Sequence, residues 1–478
     1  MKRAVTSRWS RLRSVQRQAR TSITWRTWPT VLCSFTVETI LQSTTGLEPF
    51  DQQSEESVTR ARAINVRDLR KRNRARALAA VYHNGPMTRQ QIGKATGVSP
   101  ATVSNLVGDL LNQGVIVEAG AEDSDGGRPR ALLRVKPEYK YVVGVDVGET
   151  AILVELFDLN MQVRASHSIT PTAERLDPKK TVEYVLEGLD RVVTYSGLAQ
   201  EEILGVGVGV PGLVVNGDDA VVHAQTVGWD GVPFGKMLRR GTTLPLFVEN
   251  GAKTFGQAEK WFGAARDAEN AIIVLLGTGT GVSIFTEGEL YRGASSSAGE
   301  WGHTTVMVNG RTCRCGAKGC LEAYVGGWAI VARYDELRGR TPADNVTDLV
   351  ARLTAIAEAP SDDRSAAKVL QETATYLGAG IANLINLFNP ERIVVGGWID
   401  EILADRLLPA IREVASQQAL RMPFSVVSIV PAQLGRDAVA LGAATLPVND
   451  FLASGAVPRP RKTTRRAIRP VLAAGNRN

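Results

Sequence analysis

The sequence predicts an α/β chain in which a small, mostly α-helical winged helix-turn-helix precedes a much larger domain of alternating strands and helices. Two observations carry this reading. Between residues 65 and 130, two short amphipathic segments joined by a glycine turn are followed by a β-branched run. Beyond residue 137, apolar runs repeatedly end in glycine-rich turns, the pattern of buried strands feeding loops that must approach a ligand closely. A length of 478 residues exceeds one ordinary core, and 44% apolar residues suffice to fill two or three.

Charge is distributed unevenly. The formal excess of +7 concentrates in the first thirty residues, in residues 60–76 and after Arg459, which points to a polyanionic partner. Residues 1–60 contain no acidic side chain before Glu38 and superficially resemble a transit peptide, but no apolar core with a cleavage site follows. They read as a disordered basic extension or as a start assigned too far upstream. Only four cysteines fit a reducing compartment better than a disulfide scaffold, and no apolar run is long enough to span a membrane, so a cytoplasmic protein without a membrane partner is expected.

The head is assigned to residues 65–130. Its first helix sets Leu69, Ala77, Leu78 and Val81 against an arginine-rich face. After Asn84-Gly85-Pro86, Thr88 caps a short helix, Arg89 to Thr96, that Gly97 ends. Ser99-Pro100 then opens a helix carrying Val103, Leu106, Val107, Leu110 and Leu111 at spacings of three and four, and an extended segment starts at Val115. In this layout the second helix enters the major groove. Ala101, Thr102, Ser104 and Asn105 then face the bases, where small residues allow close approach and an asparagine can pair bidentately with adenine. An ordinary helical hairpin is the plain alternative.

The large domain is assigned to residues 137–450, with 451–478 as a disordered basic tail. Tyr141 to Thr150 is a strand entering a glycine turn, and Leu276 to Val282 is a second turn of that kind, as is Arg392 to Gly397. His303, Cys313, Cys315 and Cys320 crowd into one short stretch. Cys-x-Cys-Gly-x-x-Gly-Cys supplies three thiolates on tight turns, and the histidine ten residues upstream completes a closed tetrahedral shell, so a structural zinc is expected. Three reduced, buried cysteines are the simpler alternative.

Glu300-Trp301-Gly302-His303 and the run from Cys313 to Glu322 resemble the signature of the ROK family, the bacterial repressors, open reading frames and sugar kinases. The resemblance implies a two-lobed actin-like ATPase fold, in which the glycine turns correspond to phosphate loops. Of those turns, only Tyr141 to Thr150 and Leu276 to Val282 are the likened phosphate loops, while Arg392 to Gly397 resembles the strand and turn near the adenosine site. The resemblance further implies that Asn250, Glu300, His303 and Glu322 hydrogen-bond sugar hydroxyls, with His303 serving metal and sugar through different nitrogens. By the same likeness Gly126-Gly127-Arg128-Pro129 follows the wing and brings Arg128 to phosphate or the minor groove.

Two departures from the kinase pattern stand out. Family kinases have Glu-Asn-Asp-Ala-Asn where this chain has Glu249-Asn250-Gly251-Ala252-Lys253, so Gly251 replaces the base that takes the sugar's proton, although Glu249 lies close by. Glu149 stands where kinases have a glycine and places negative charge at a phosphate loop. No catalytic residue is therefore assigned. The chain reads as a sugar-responsive, DNA-binding regulator, a repressor by family habit. It is expected to meet operator DNA as a homodimer or homotetramer, with a sugar as effector. A sugar kinase carrying a DNA-binding head is the first alternative; a regulator whose large domain binds a protein is the second.

Overall fold

The computed structural model describes residues 66–123, 129–171, 176–215, 217, 219–341 and 349–457. The extension 1–60, Arg128 and the tail beyond residue 457 lie outside the described residues.

The head comprises α1 (Val66–Asn84), α2 (Arg89–Thr96), α3 (Pro100–Asn112) and an antiparallel hairpin of β1 (Ile116–Glu122) and β2 (Arg130–Val135). Local chemistry explains its boundaries. Thr88 and Gln91 form a reciprocal capping box at the start of α2, with Gln91 N donating to Thr88 Oγ1 at 3.3 Å and Thr88 N donating to Gln91 Oε1 at 2.7 Å. Ser99 caps α3, and Pro100 occupies its first turn. Val103, Leu106, Val107 and Leu110 are buried, while Leu111 is only half-buried.

Two expectations for α1 fail. Leu69 is exposed at 36%, because the buried face of the helix begins a turn later. Arg74, grouped by sequence with the solvent-facing arginines, is buried and donates to Gly455 O and to Gln113 Oε1.

The first lobe contains β3 (Tyr141–Val147), β4 (Ile152–Asp158), β5 (Val163–Ile169), α4 (Pro178–Ser196), β6 (Ile203–Val210), β7 (Leu213–Val215), β8 (Val221–Ala224), β9 (Trp229–Val232), α5 (Phe234–Leu238), β10 (Leu246–Asn250) and α6 (Gly251–Phe262). Its main sheet runs β10-β6-β3-β4-β5, parallel across β10, β6 and β3 and antiparallel beyond.

The second lobe contains β11 (Ala271–Leu276), β12 (Thr280–Thr286), β13 (Glu289–Leu290), α7 (Glu322–Val325), α8 (Gly327–Leu337), α9 (Leu349–Ala357), α10 (Arg364–Phe388), β14 (Arg392–Gly396), α11 (Trp398–Gln418), α12 (Arg421–Val426) and β15 (Ser428–Pro431). Its sheet runs β13-β12-β11-β14-β15. The last helix, α13 (Ala438–Ser454), returns to pack on β3, β6 and α6 of the first lobe.

That contact is tight enough to require glycine. A Cβ on Gly207 would lie 1.8 Å from Ala443 O, and one on Gly442 would lie 1.7 Å from Thr254 O. The composition change after Leu446, read as the approach to a tail starting at 451, does not end the helix. α13 continues to Ser454 because Phe451 and Leu452 are buried in one core with Leu78, Val107, Leu133 and Phe157. Head and first lobe thus share a hydrophobic core.

Candidate effector cleft and metal hairpin

The four residues expected to meet a sugar come from three places. Asn250 ends β10 and caps α6, accepting from Lys253 N at 3.1 Å and donating from Nδ2 to Gly212 O at 2.7 Å. Glu300 and His303 flank the short helical turn after the loop 291–299. Glu322 opens α7, is buried, and accepts from Thr280 N at 3.1 Å.

Charge links them. Burial pushes the Glu300 carboxyl above its ordinary range, against the pull of His303 and Lys253. Burial also lowers the Lys253 ammonium, although Glu249 and Glu300 oppose it, and its Nζ donates to Ser296 O. Sequence reasoning noted Lys253 only within the altered motif; its approach to Glu300 becomes visible once the loop before Glu300 folds over α6. A separate cavity of about 630 Å³, lined in part by Arg311, Tyr324, Glu372 and Tyr376, includes none of the four.

The base position is empty in a chemical sense. Gly251 has no proton acceptor, and a Cβ there would make ordinary contact, 3.5 Å from Val210 O and 4.0 Å from Val439 Cγ1. Glu249, the neighbouring carboxylate, accepts from Asn250 N at 3.0 Å and is paired with Arg292. The glycine turns likened to phosphate loops carry side-chain contacts of their own. The Thr280 amide, a donor a phosphate would use, is given to Glu322. Glu149 meets Arg314 at 2.9 Å, and Arg314 also donates to Thr226 O at 2.9 Å, so the cysteine hairpin of the second lobe reaches across to the first. Burial raises the Glu149 carboxyl, and Arg314 draws it back.

The structure brings the expected metal ligands together. One donor atom from each of His303, Cys313, Cys315 and Cys320 lies within 4.8 Å of the others. Cys313 Sγ is 3.8 Å from His303 Nδ1, and the Cys315 and Cys320 sulfurs are 3.8 Å apart. Zinc bonds of about 2.0–2.3 Å in a tetrahedron give ligand edges of roughly 3.3–3.8 Å, so this donor set fits a four-coordinate ion. On the head, Ala101, Ser104 and Asn105 are exposed along α3, whereas Thr102 is half-buried with Oγ1 2.9 Å from Ser99 Oγ.

Comparison with known proteins follows the same division. The model for the ROK family matches residues 142–449, and that for the MarR family matches residues 70–128. The chain belongs to the ROK family. This ROK chain is 29% identical to the xylose repressor of Caldicellulosiruptor bescii over 389 residues, covering 80% of this chain and 97% of that protein. It is 31% identical over 383 residues to the DNA-binding transcriptional dual regulator NagC of Escherichia coli, covering 77% and 91%.

Among solved structures, a ROK family transcriptional regulator, a homologue of the E. coli MLC protein, superposes with a TM-score of 0.65 over 81% of this chain and 98% of that one; at 24% identity it supports the fold. A ROK family glucokinase from Streptomyces griseus, bound to glucose and AMPPNP, gives 0.54 at 28% identity, covering 64% of this chain and 98% of that one. The ROK fold therefore serves regulators and kinases alike. Among the described residues, no helix is long and apolar enough to cross a membrane.

Proposed function

We propose that this ROK chain is a sugar-responsive transcriptional repressor that holds operator DNA through α3 and releases it when a sugar occupies the cleft around Asn250, Glu300, His303 and Glu322. The observation that carries this reading is the pairing of an exposed, capped reading helix with a sugar cluster whose proton acceptor has become Gly251. Names of relatives support it: a xylose repressor and an N-acetylglucosamine repressor match over 80% and 77% of this chain.

The carboxylates and the amide suit a polyol, since each can engage adjacent hydroxyls. A zinc ion held by His303, Cys313, Cys315 and Cys320 would be structural, because four protein donors leave no open position. It would fix the hairpin that carries Arg314 toward the first lobe. His303 would bind the ion through Nδ1, leaving Nε2 for a sugar hydroxyl. Arg128 would contact phosphate beside the wing. A two-fold dimer would demand a roughly palindromic operator, as helix-turn-helix pairs do.

The test is binding of the purified chain to its own upstream intergenic DNA, titrated with monosaccharides and their phosphates while ATP turnover is followed. Specific binding released by a sugar without turnover supports the repressor. Turnover, or no specific binding, overturns it.

A further inference from the structure

One helix joins the sugar cleft to the head. Asn250, a proposed sugar ligand, is the N-cap of α6, and Trp261 and Phe262 at its other end pack against the core of the head. At 1.5 Å per residue the twelve residues of α6 span about 18 Å. Trp261 meets the end of α1 edge-on: ring centroids lie 4.6 Å from His83 at 87° and 5.9 Å from Tyr82 at 63°. Just beyond, Arg266 Nη2 donates to His83 O at 3.2 Å. His83 lies five residues before Thr88, the cap of α2, so this contact sits beside the junction of α1 with the reading helices.

The middle of α6 leaves no slack. Glu259 is fully buried and accepts from the backbone of Ala264 at 2.7 Å, Gln433 at 3.1 Å and Leu434 at 2.8 Å. Thr254 O is pressed against Gly442 of α13. A helix packed this closely transmits a displacement of one end to the other instead of absorbing it. α13 also meets α1, through Phe451, Leu452 and the bond from Arg74 to Gly455 O, within the same core against which Trp261 packs. Trp261, half-buried, is the direct aromatic contact of α6 with α1.

We propose that Trp261 is the positioning residue through which occupancy of the sugar cleft reorients the DNA-reading head, with α6 as the rigid link; this rests on the repressor reading above. Trp261 touches neither sugar nor DNA in this scheme. Its removal should uncouple the two binding events and leave each intact.

The test uses the full chain, its own upstream intergenic DNA in an anisotropy assay, and D-xylose, D-glucose and N-acetylglucosamine as probes, with sugar affinity measured separately by calorimetry. In the wild type, a coupled sugar should weaken DNA binding tenfold or more, within the usual range of about 5- to 150-fold. Trp261→Ala should keep sugar-free DNA affinity and DNA-free sugar affinity but respond less than about twofold, and Trp261→Phe should restore most of the response. A full response in Trp261→Ala overturns the proposal while sparing the repressor reading. Loss of sugar-free DNA binding in both variants assigns Trp261 a purely structural role and also overturns it. A wild type that none of these sugars moves overturns the proposal together with the reading on which it rests.

Discussion

The seven residues from Phe451 to Val457 should decide whether the head stays folded. The cleanest perturbation compares a chain ending at Val457 with one ending at Asp450, the boundary composition suggests. Phe451 is 7% exposed and Leu452 is 2% exposed, both against the helices of the head. Emptying such sites costs about 3–5 kcal/mol for a phenylalanine and about 2–5 kcal/mol for a leucine. Arg74 loses Gly455 O as well, and a buried charged donor without its acceptor costs roughly 1.5–3 kcal/mol. Neighbouring losses are not additive, but even the lower ends together rival a whole-domain stability of about 5–15 kcal/mol. Circular dichroism melting and proteolysis at residues 66–112, alongside DNA affinity, read the outcome. The Asp450 chain should lose its head while the large domain still melts cooperatively. Equal melting curves and equal DNA affinity for the two chains would refute the shared core.

Other expected outcomes address the sites singly. Cys313→Ser should lower bound zinc after dialysis and destabilise the large domain; unchanged metal content would remove Cys313 from the ligand set. Asn105→Ala should weaken binding to the specific operator by about 1–3 kcal/mol while sparing random DNA, and an equal loss on both would place Asn105 on phosphate. Gly251→Asp should fold normally, since the position has room, yet show no ATP-dependent sugar phosphorylation, because Thr280 N is engaged by Glu322 and Glu149 occupies the first phosphate loop; turnover would mean that the nucleotide site survived. Burial, with Glu401 and Asp405 nearby, raises the Asp400 carboxyl to about 7. The folded protein then holds a proton that the unfolded chain releases, so this residue lowers stability as pH climbs from about 4 to about 7. Asp400→Asn should therefore raise the melting temperature more at pH 8 than at pH 4; an equal gain at both would contradict the shift.

Elements whose signals are local were legible in the chain. Thr88 and Ser99 announce the starts of α2 and α3 through capping chemistry that needs no tertiary context. The clustering of His303, Cys313, Cys315 and Cys320 was legible for the same reason, as residues within eighteen positions are constrained by their own turns. Gly251 was readable by comparison with a known motif. Contacts distant in sequence were not. Arg74 sits in a run of exposed arginines, and only its bond to a carbonyl 381 residues away marks it as buried. Arg314 and Glu149 are 165 residues apart, so the charge at the first phosphate loop looked uncompensated. Pro447 and the basic composition beyond Arg459 disguised the end of α13, whose continuation depends on a surface the head supplies. Trp261 reads as one more apolar residue on a helix until α1 is placed beside it.

The glycine seam along α13 bears on how genetics of this protein would read. Any side chain at Gly207 or Gly442 collides with backbone, which cannot rotate away as a flexible side chain would. Random mutagenesis scored for loss of regulation should therefore yield a dense line of hits along this seam. Phenotype alone would class them with defects in effector or operator contact, because the seam lies between the two. Protein abundance measured in the same strains separates the groups: seam variants disappear from the cell, whereas true contact variants accumulate in normal amounts.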